Sequence, residues 1–171
     1  MKKQNKNKSS KRTCNAYNSE YPFNKEHIES FLEQYINKEN SHFGRFLKKL
    51  NKKVFSKLMK NKEYLFASLY NIYYPSLISL DYVEFKDLLK NSSDISFETI
   101  SFKDHKSAKL RGVNGLIITM VVNQWTTLDK ISSISKYFAE QLNNNDSITS
   151  GARVMTNLKK NENYALLFKM R

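Results

Sequence analysis

Apolar positions recur with helical period from residue 24 onward. Asn24 offers an N-cap, and Ile28, Phe31, Leu32, Tyr35 and Ile36 follow at i, i+3, i+4, i+7 and i+8, which predicts a helix with one buried face. A second helix is expected to start near Ser41 and run to Lys60. Over that span Phe43, Phe46, Leu47, Leu50, Val54 and Leu58 fall within one stripe when 100° is advanced per residue. Glu63 to Tyr74 predicts a third, largely buried helix that Pro75 ends, because the residue before a proline is pushed out of the α region. Ser79 is expected to cap a short helix carrying Tyr82, Val83, Phe85, Leu88 and Leu89. The cluster Asn91-Ser92-Ser93-Asp94 then marks a boundary.

Beyond that boundary the period changes. Ile95, Phe97 and Thr99 alternate with polar residues as in a half-buried strand. Asn114-Gly115 lies between Lys109–Val113 and Leu116–Val122 and predicts a type I′ hairpin. Thr126 or Thr127 can cap a helix with apolar positions Leu128, Ile131, Ile134, Phe138 and Leu142, ended by three consecutive asparagines. The last segment has two readings. In the preferred one Arg153–Leu158 and Tyr164–Met170 form a hairpin around Asn161-Glu162-Asn163. In the other, Ser147 or Thr149 caps a recognition helix running to about Lys160, followed by one strand of a wing.

The expected fold class is therefore α+β: an N-terminal helical region, then a small segment of antiparallel hairpins packed with one helix, with a winged-helix-like arrangement as the variant. The expected division is a disordered basic arm over 1–20, a helical region over 21–92 and an α+β region over 93–171. The arm follows from composition, since residues 1–20 are rich in Lys, Asn and Ser and nearly lack apolar groups.

Charge sharpens this picture. The chain carries a formal net charge of +13, and two stretches without acidic residues account for it. Residues 1–12 hold Lys2, Lys3, Lys6, Lys8, Lys11 and Arg12. Residues 40–62 hold Arg45, Lys48, Lys49, Lys52, Lys53, Lys57, Lys60 and Lys62. On the predicted second helix Arg45, Lys48, Lys49, Lys52, Lys53 and Lys60 lie opposite the apolar stripe, so the charge is presented as a face about 28 Å long at about 1.5 Å per residue. Such segregation points to a polyanion. Lys outnumbers Arg by 24 to 5, a bias that AT-rich coding DNA produces by itself, but that bias does not explain the missing acids.

Catalytic chemistry is poorly supported. His27, His42 and His105 are scattered without metal-ligand spacing, and four glycines cannot build a phosphate loop. Cys14 has no oriented base beside it and no second cysteine to pair with. Asp81, Glu84 and Lys86 resemble a Mg²⁺-nuclease cluster in composition only; on one helical turn they read better as a cap and surface charges. No cofactor and no metal is expected. The N-terminus lacks the apolar stretch of a secretory signal, and Tyr64–Val83 is too interrupted for a membrane span, so a cytoplasmic protein is expected.

The leading expectation is a non-enzymatic nucleic-acid-binding protein, DNA ahead of RNA, of a regulatory or accessory kind from an AT-rich bacterial, plasmid or phage genome. Its contacts are assigned to Arg45, Lys48, Lys49, Lys52, Lys53 and Lys60, joined by Arg153, Lys159 and Lys160 from the C-terminal segment. Guanine edges are read by the arginine fork, which leaves Arg45, Arg111 and Arg153 as structured candidates for discrimination. One alternative is an interaction protein, such as an effector, chaperone or virion component, whose basic face meets an acidic protein or an anionic membrane. Another is a ribosomal-type RNA-binding protein.

Overall fold

The computed structural model describes residues 25–36, 41–143 and 146–171. Among them are six α-helices and a four-stranded mixed sheet, so the chain is α+β with helices preceding strands. The arm over 1–20 and the Asn24 cap lie outside the described residues. Helices α1 (Lys25–Ile36), α2 (His42–Leu47), α3 (Lys52–Lys60), α4 (Lys62–Tyr73) and α5 (Tyr82–Lys90) come first. Then follow β1 (Ile95–Ser101), β2 (Gly115–Val122), α6 (Leu128–Glu140), β3 (Ser147–Val154) and β4 (Tyr164–Met170).

The expected second helix is two. Asn51 leaves the α region with ψ 134°, and its side chain accepts the Lys53 N–H at 2.8 Å, which makes it a fresh N-cap. Asparagine competes with the helical backbone in this way wherever it can hydrogen-bond locally. The apolar stripe survives the break, since Phe43, Leu47, Leu50, Val54 and Leu58 are all buried. Helix α5 is capped by Asp81, which accepts the Glu84 N–H at 2.8 Å, rather than by Ser79. Thr127 caps α6 as one of the two expected threonines.

Neither expected hairpin forms. The strand order is β1-β4-β2-β3, with β4 antiparallel to both β1 and β2, and β3 parallel to β2 across the α6 crossover. Asn114 and Gly115 continue the sheet, because the Asn114 N–H donates to Met170 and its carbonyl accepts from Ser147. Gly115 fits there for want of space, a Cβ at its position standing 2.8 Å from Leu88 Cδ2. The turn that precedes β2 is Leu110–Val113, closed by Val113 N–H to Leu110 C=O at 3.0 Å, with Gly112 at φ +74°. No recognition helix exists over 147–160 either; Ser147–Val154 is a strand whose Ile148, Thr149 and Val154 suit an extended backbone.

Two apolar layers hold the sheet. On one face Ile95, Ile117, Val121, Leu166, Phe168 and Met170 pack against α1–α5, with Phe168 edge-on to Tyr64 and Phe85. On the other, Leu116, Ile118, Met120, Val122, Ala152, Ala165 and Leu167 pack with Ile131, Ile134 and Phe138 of α6. Ser68 of α4 hydrogen-bonds Thr119 of β2 at 2.9 Å inside the first layer. Beside it Asn71 accepts the Leu80 N–H at 2.6 Å and fixes the loop after α4, which reaches the free edge of β3 through the paired backbone groups of Ile78 and Ala152.

That edge tests the packing. A Cβ on Gly151 would stand 2.9 Å from both Asn71 Cγ and the Leu80 backbone nitrogen. Gly151→Ala is expected to lower stability by about 2 kcal/mol in denaturant unfolding, as overpacking against fixed backbone does. Gly112→Ala is strained by its φ alone.

Candidate nucleic-acid interface

Splitting the helix turns the expected linear face into a corner. Arg45 sits in the last turn of α2, where a cation suits the helix dipole. Lys48 and Lys49 follow in the connection, Lys52 and Lys53 open α3, and Lys60 closes it. All six are exposed, while the buried stripe beneath them fixes both helices. Among the described residues Arg45, Lys48, Lys49, Lys52 and Lys60 have no carboxylate partner within ion-pair distance.

Lys53 differs from its neighbours. Asp94, just before β1, accepts Lys57 Nζ at 2.6 Å and Lys53 Nζ at 3.0 Å, and its Oδ1 also accepts the Ile95 N–H at 2.8 Å. Lys57, then Lys53 and the Ile95 N–H, hold the Asp94 carboxyl well below the usual carboxylate range. Lys53 in the first turn of α3 opposes the helix dipole, and Asp94 offsets that while tying α3 to the sheet. Asp94 is itself locked to the residue after β4, exchanging backbone hydrogen bonds at 3.0 Å with Arg171.

Arg153 is not an open contact. It projects from β3 towards α4, with its guanidinium carbon 3.8 Å from the Tyr70 ring centroid. Tyr74 stacks on Tyr70 at 4.4 Å and 7°, so the cation and Tyr74 occupy opposite faces of one ring. Arg153 Nε and Nη1 are buried without a hydrogen-bond partner, and desolvation pulls its pKa down. The half-buried Arg153 thus packs its guanidinium on the Tyr70 ring, unlike the exposed cations of α2 and α3. Arg111 is exposed on the Leu110–Val113 turn.

Lys159 and Lys160 are exposed but stand at the other end of the sheet from the corner. Asp94, where α3 docks, precedes Ile95 opposite Met170, whereas the lysine loop leads into Tyr164 opposite Ser101. The length of β4, roughly 20 Å at about 3.3 Å per residue, separates them. The nine expected contact residues thus resolve into a corner, a packed arginine and a distant loop.

The sequence reading missed the loop that Lys159 and Lys160 adjoin. Asn123, almost fully buried, gives its side-chain N–H groups to the carbonyls of Lys159 and Lys160 at 3.1 and 2.9 Å and its backbone N–H to Asn163 at 2.8 Å. Its side-chain oxygen accepts the Trp125 N–H and the Thr126 hydroxyl at 3.0 Å each, and Thr126 accepts from Asn163 at 2.8 Å. Trp125 is left 57% exposed. The signal available in sequence was a tryptophan inside Asn123-Gln124-Trp125-Thr126-Thr127, outside every apolar period and ahead of a helix cap.

No family model matches the chain, and no curated protein does. Solved structures do resemble it. An empty FtsZ dimer from M. jannaschii is 19% identical with a TM-score of 0.56, covering 71% of this chain and 40% of that one. A point mutant of M. jannaschii FtsZ is 19% identical with a TM-score of 0.53, over 71% and 42% of the two chains. CetZ from Methanosaeta thermophila is 12% identical with a TM-score of 0.48, over 68% and 37%. The chain spans about two fifths of the length of the FtsZ chains it matches, and the likeness is one of fold.

Two outcomes follow from the charges. Asp94 has a depressed folded-state pKa, so its contribution is complete above the unfolded value of about 4 and is lost as pH falls below it. Asp94→Asn is expected to lower the melting temperature at pH 7, and the gap to the parent should close on acidification below about pH 4. Arg153→Met should stay within about 1 kcal/mol of the parent in denaturant unfolding, since it removes buried unpaired donors but keeps the packed stem.

Proposed function

We propose that this protein is a non-enzymatic nucleic-acid-binding protein, DNA ahead of RNA, of a regulatory or accessory kind. Its principal contact is the α2–α3 corner. The observation that carries this reading is that Arg45, Lys48, Lys49, Lys52 and Lys60 are exposed, free of carboxylate partners among the described residues, and backed by buried side chains that hold them in one geometry. Fixed cations meet phosphates without first losing the freedom of their backbone, and each phosphate neutralised releases counterions from the polyanion. The acid-free residues 1–12 add six further cations to the same chain.

With lysine dominant, the binding is expected to track the backbone and to discriminate weakly between sequences; Arg45 and Arg111 are the forks left for base edges. No helix among the described residues is long and apolar enough to cross a membrane.

A salt titration of binding to duplex DNA, single strands and structured RNA tests the reading. Log affinity should fall linearly with log salt, and Lys48→Glu/Lys49→Glu/Lys52→Glu should weaken all three ligands at least about tenfold at 0.1 M salt while leaving the melting temperature unchanged. Asp94→Asn, which releases Lys53 and Lys57, should bind no more weakly than the parent. Absence of binding to any nucleic acid at low salt overturns the proposal.

A further inference from the structure

We infer that the Trp125 loop is a second nucleic-acid contact, in which the indole stacks on an unpaired base and Lys159 and Lys160 hold the flanking phosphates. This rests on the nucleic-acid reading above and adds a ligand form to it, single-stranded rather than fully paired.

The loop is built to hold its shape. Every polar atom of the Asn123 side chain is used, and the hydrogen bonds from Asn123 and Asn163 join residues 123–126 to residues 159–163, two segments far apart in sequence. A satisfied buried network of this kind rigidifies what it carries. What it carries is the chain's single tryptophan, whose backbone N–H is fixed at 3.0 Å while its side chain is 57% exposed. Leu128, the first residue of α6, is equally exposed, and Val154 at the end of β3 is 37% exposed, so the same end of the sheet shows further apolar surface. An aromatic face kept in water on a rigid loop has its ordering cost met during folding, which favours stacking over refolding when a ligand arrives.

The neighbouring charge selects the occupant. Asn123 binds the main-chain carbonyls of Lys159 and Lys160, which anchors both lysines beside the tryptophan loop. Lys159 Nζ lies 3.5 Å from Glu162 with its side chain 77% exposed, and Lys160 has no carboxylate partner among the described residues. An exposed ring on a segment hydrogen-bonded to the backbone of two exposed lysines combines the two features that bind single strands, since every base offers a π face and every link a phosphate. A paired duplex keeps its bases stacked on each other and gives the indole no face. The α2–α3 corner, at the opposite end of the sheet, meets phosphates of either form.

The test uses the full chain, a labelled oligothymidylate and a labelled duplex, with Trp125 emission as a direct reporter. Oligothymidylate should quench the emission. Trp125→Ala should weaken oligothymidylate binding roughly ten- to hundredfold with its melting temperature kept, whereas Trp125→Phe, which still stacks, should stay within about threefold of the parent. Lys159→Ala/Lys160→Ala should reduce the single-strand salt slope by about 1.4. Duplex affinity should be unchanged in Trp125→Ala. Unquenched emission and unchanged oligothymidylate affinity in Trp125→Ala, with the α2–α3 charge reversals still weakening binding, would overturn this inference and leave the corner reading standing. Failure of the parent to bind either ligand at low salt overturns both. A blue shift with phosphatidylglycerol vesicles but no quenching by oligothymidylate assigns the loop to a lipid surface and overturns the inference as well.

Discussion

Strand β2 is buried along its whole length, and the rest of the architecture answers that constraint. Its odd and even side chains are both apolar, apart from Thr119, so each face of the sheet needs a cover. Helix α6 supplies one and α1–α5 the other. A buried strand also needs neighbours on both edges, because its backbone groups have no water to turn to. Strand β4 takes one edge and β3 the other. The α6 crossover lets β3 return parallel to β2 while covering the face that β2 leaves apolar.

The same arrangement spreads the positive charge over two ends of the molecule. Docking α3 on the N-terminal end of β1 consumes Lys53 and Lys57 in the Asp94 pair and leaves the remaining corner cations in solvent. Inserting β4 between β1 and β2 carries the Lys159–Asn163 connection to the opposite end, against the loop that follows β2. Placing β3 beside β2 turns Arg153 inward onto Tyr70. Three groups of cations that look alike in one dimension become an exposed corner, a loop joined to the tryptophan segment, and an arginine packed on a tyrosine ring.

Much of the helical layer was legible because it is written locally. The stripe of α1, the largely buried run of α4, the Pro75 stop, the Thr127 cap and the switch of period after Asp94 each depend on a few adjacent residues, and each stands where the sequence put it. The break at Asn51 is equally local, for that cap divides one continuous apolar stripe between two helices. Exposure of the corner cations followed from the stripe, since residues opposite five buried positions must face outward. The use of Lys53 and Lys57 did not follow, because Asp94 lies some forty residues away and meets them only when α3 docks.

The sheet was legible in β1, β2 and β4, but neither in β3 nor in the strand order. Alternation marked β1, and the apolar run marked β2, but Asn114-Gly115 satisfies a turn and a strand end equally well in sequence terms; the choice fell to the partners of its backbone groups, Met170 and Ser147. The pairing of β4 with β1 and β2 rather than β3 likewise rests on contacts between residues 43 to 75 places apart. By itself, then, the sequence determined the helical region, the β1, β2 and β4 segments, the buried stripes and where the charge is concentrated, because periodicity and composition act over a turn or two. Only the tertiary structure decided strand order, the packing of Arg153 on Tyr70 and the joining of Asn123 to the Lys159 and Lys160 backbone, because those are settled by which distant backbone groups and apolar faces must be satisfied together.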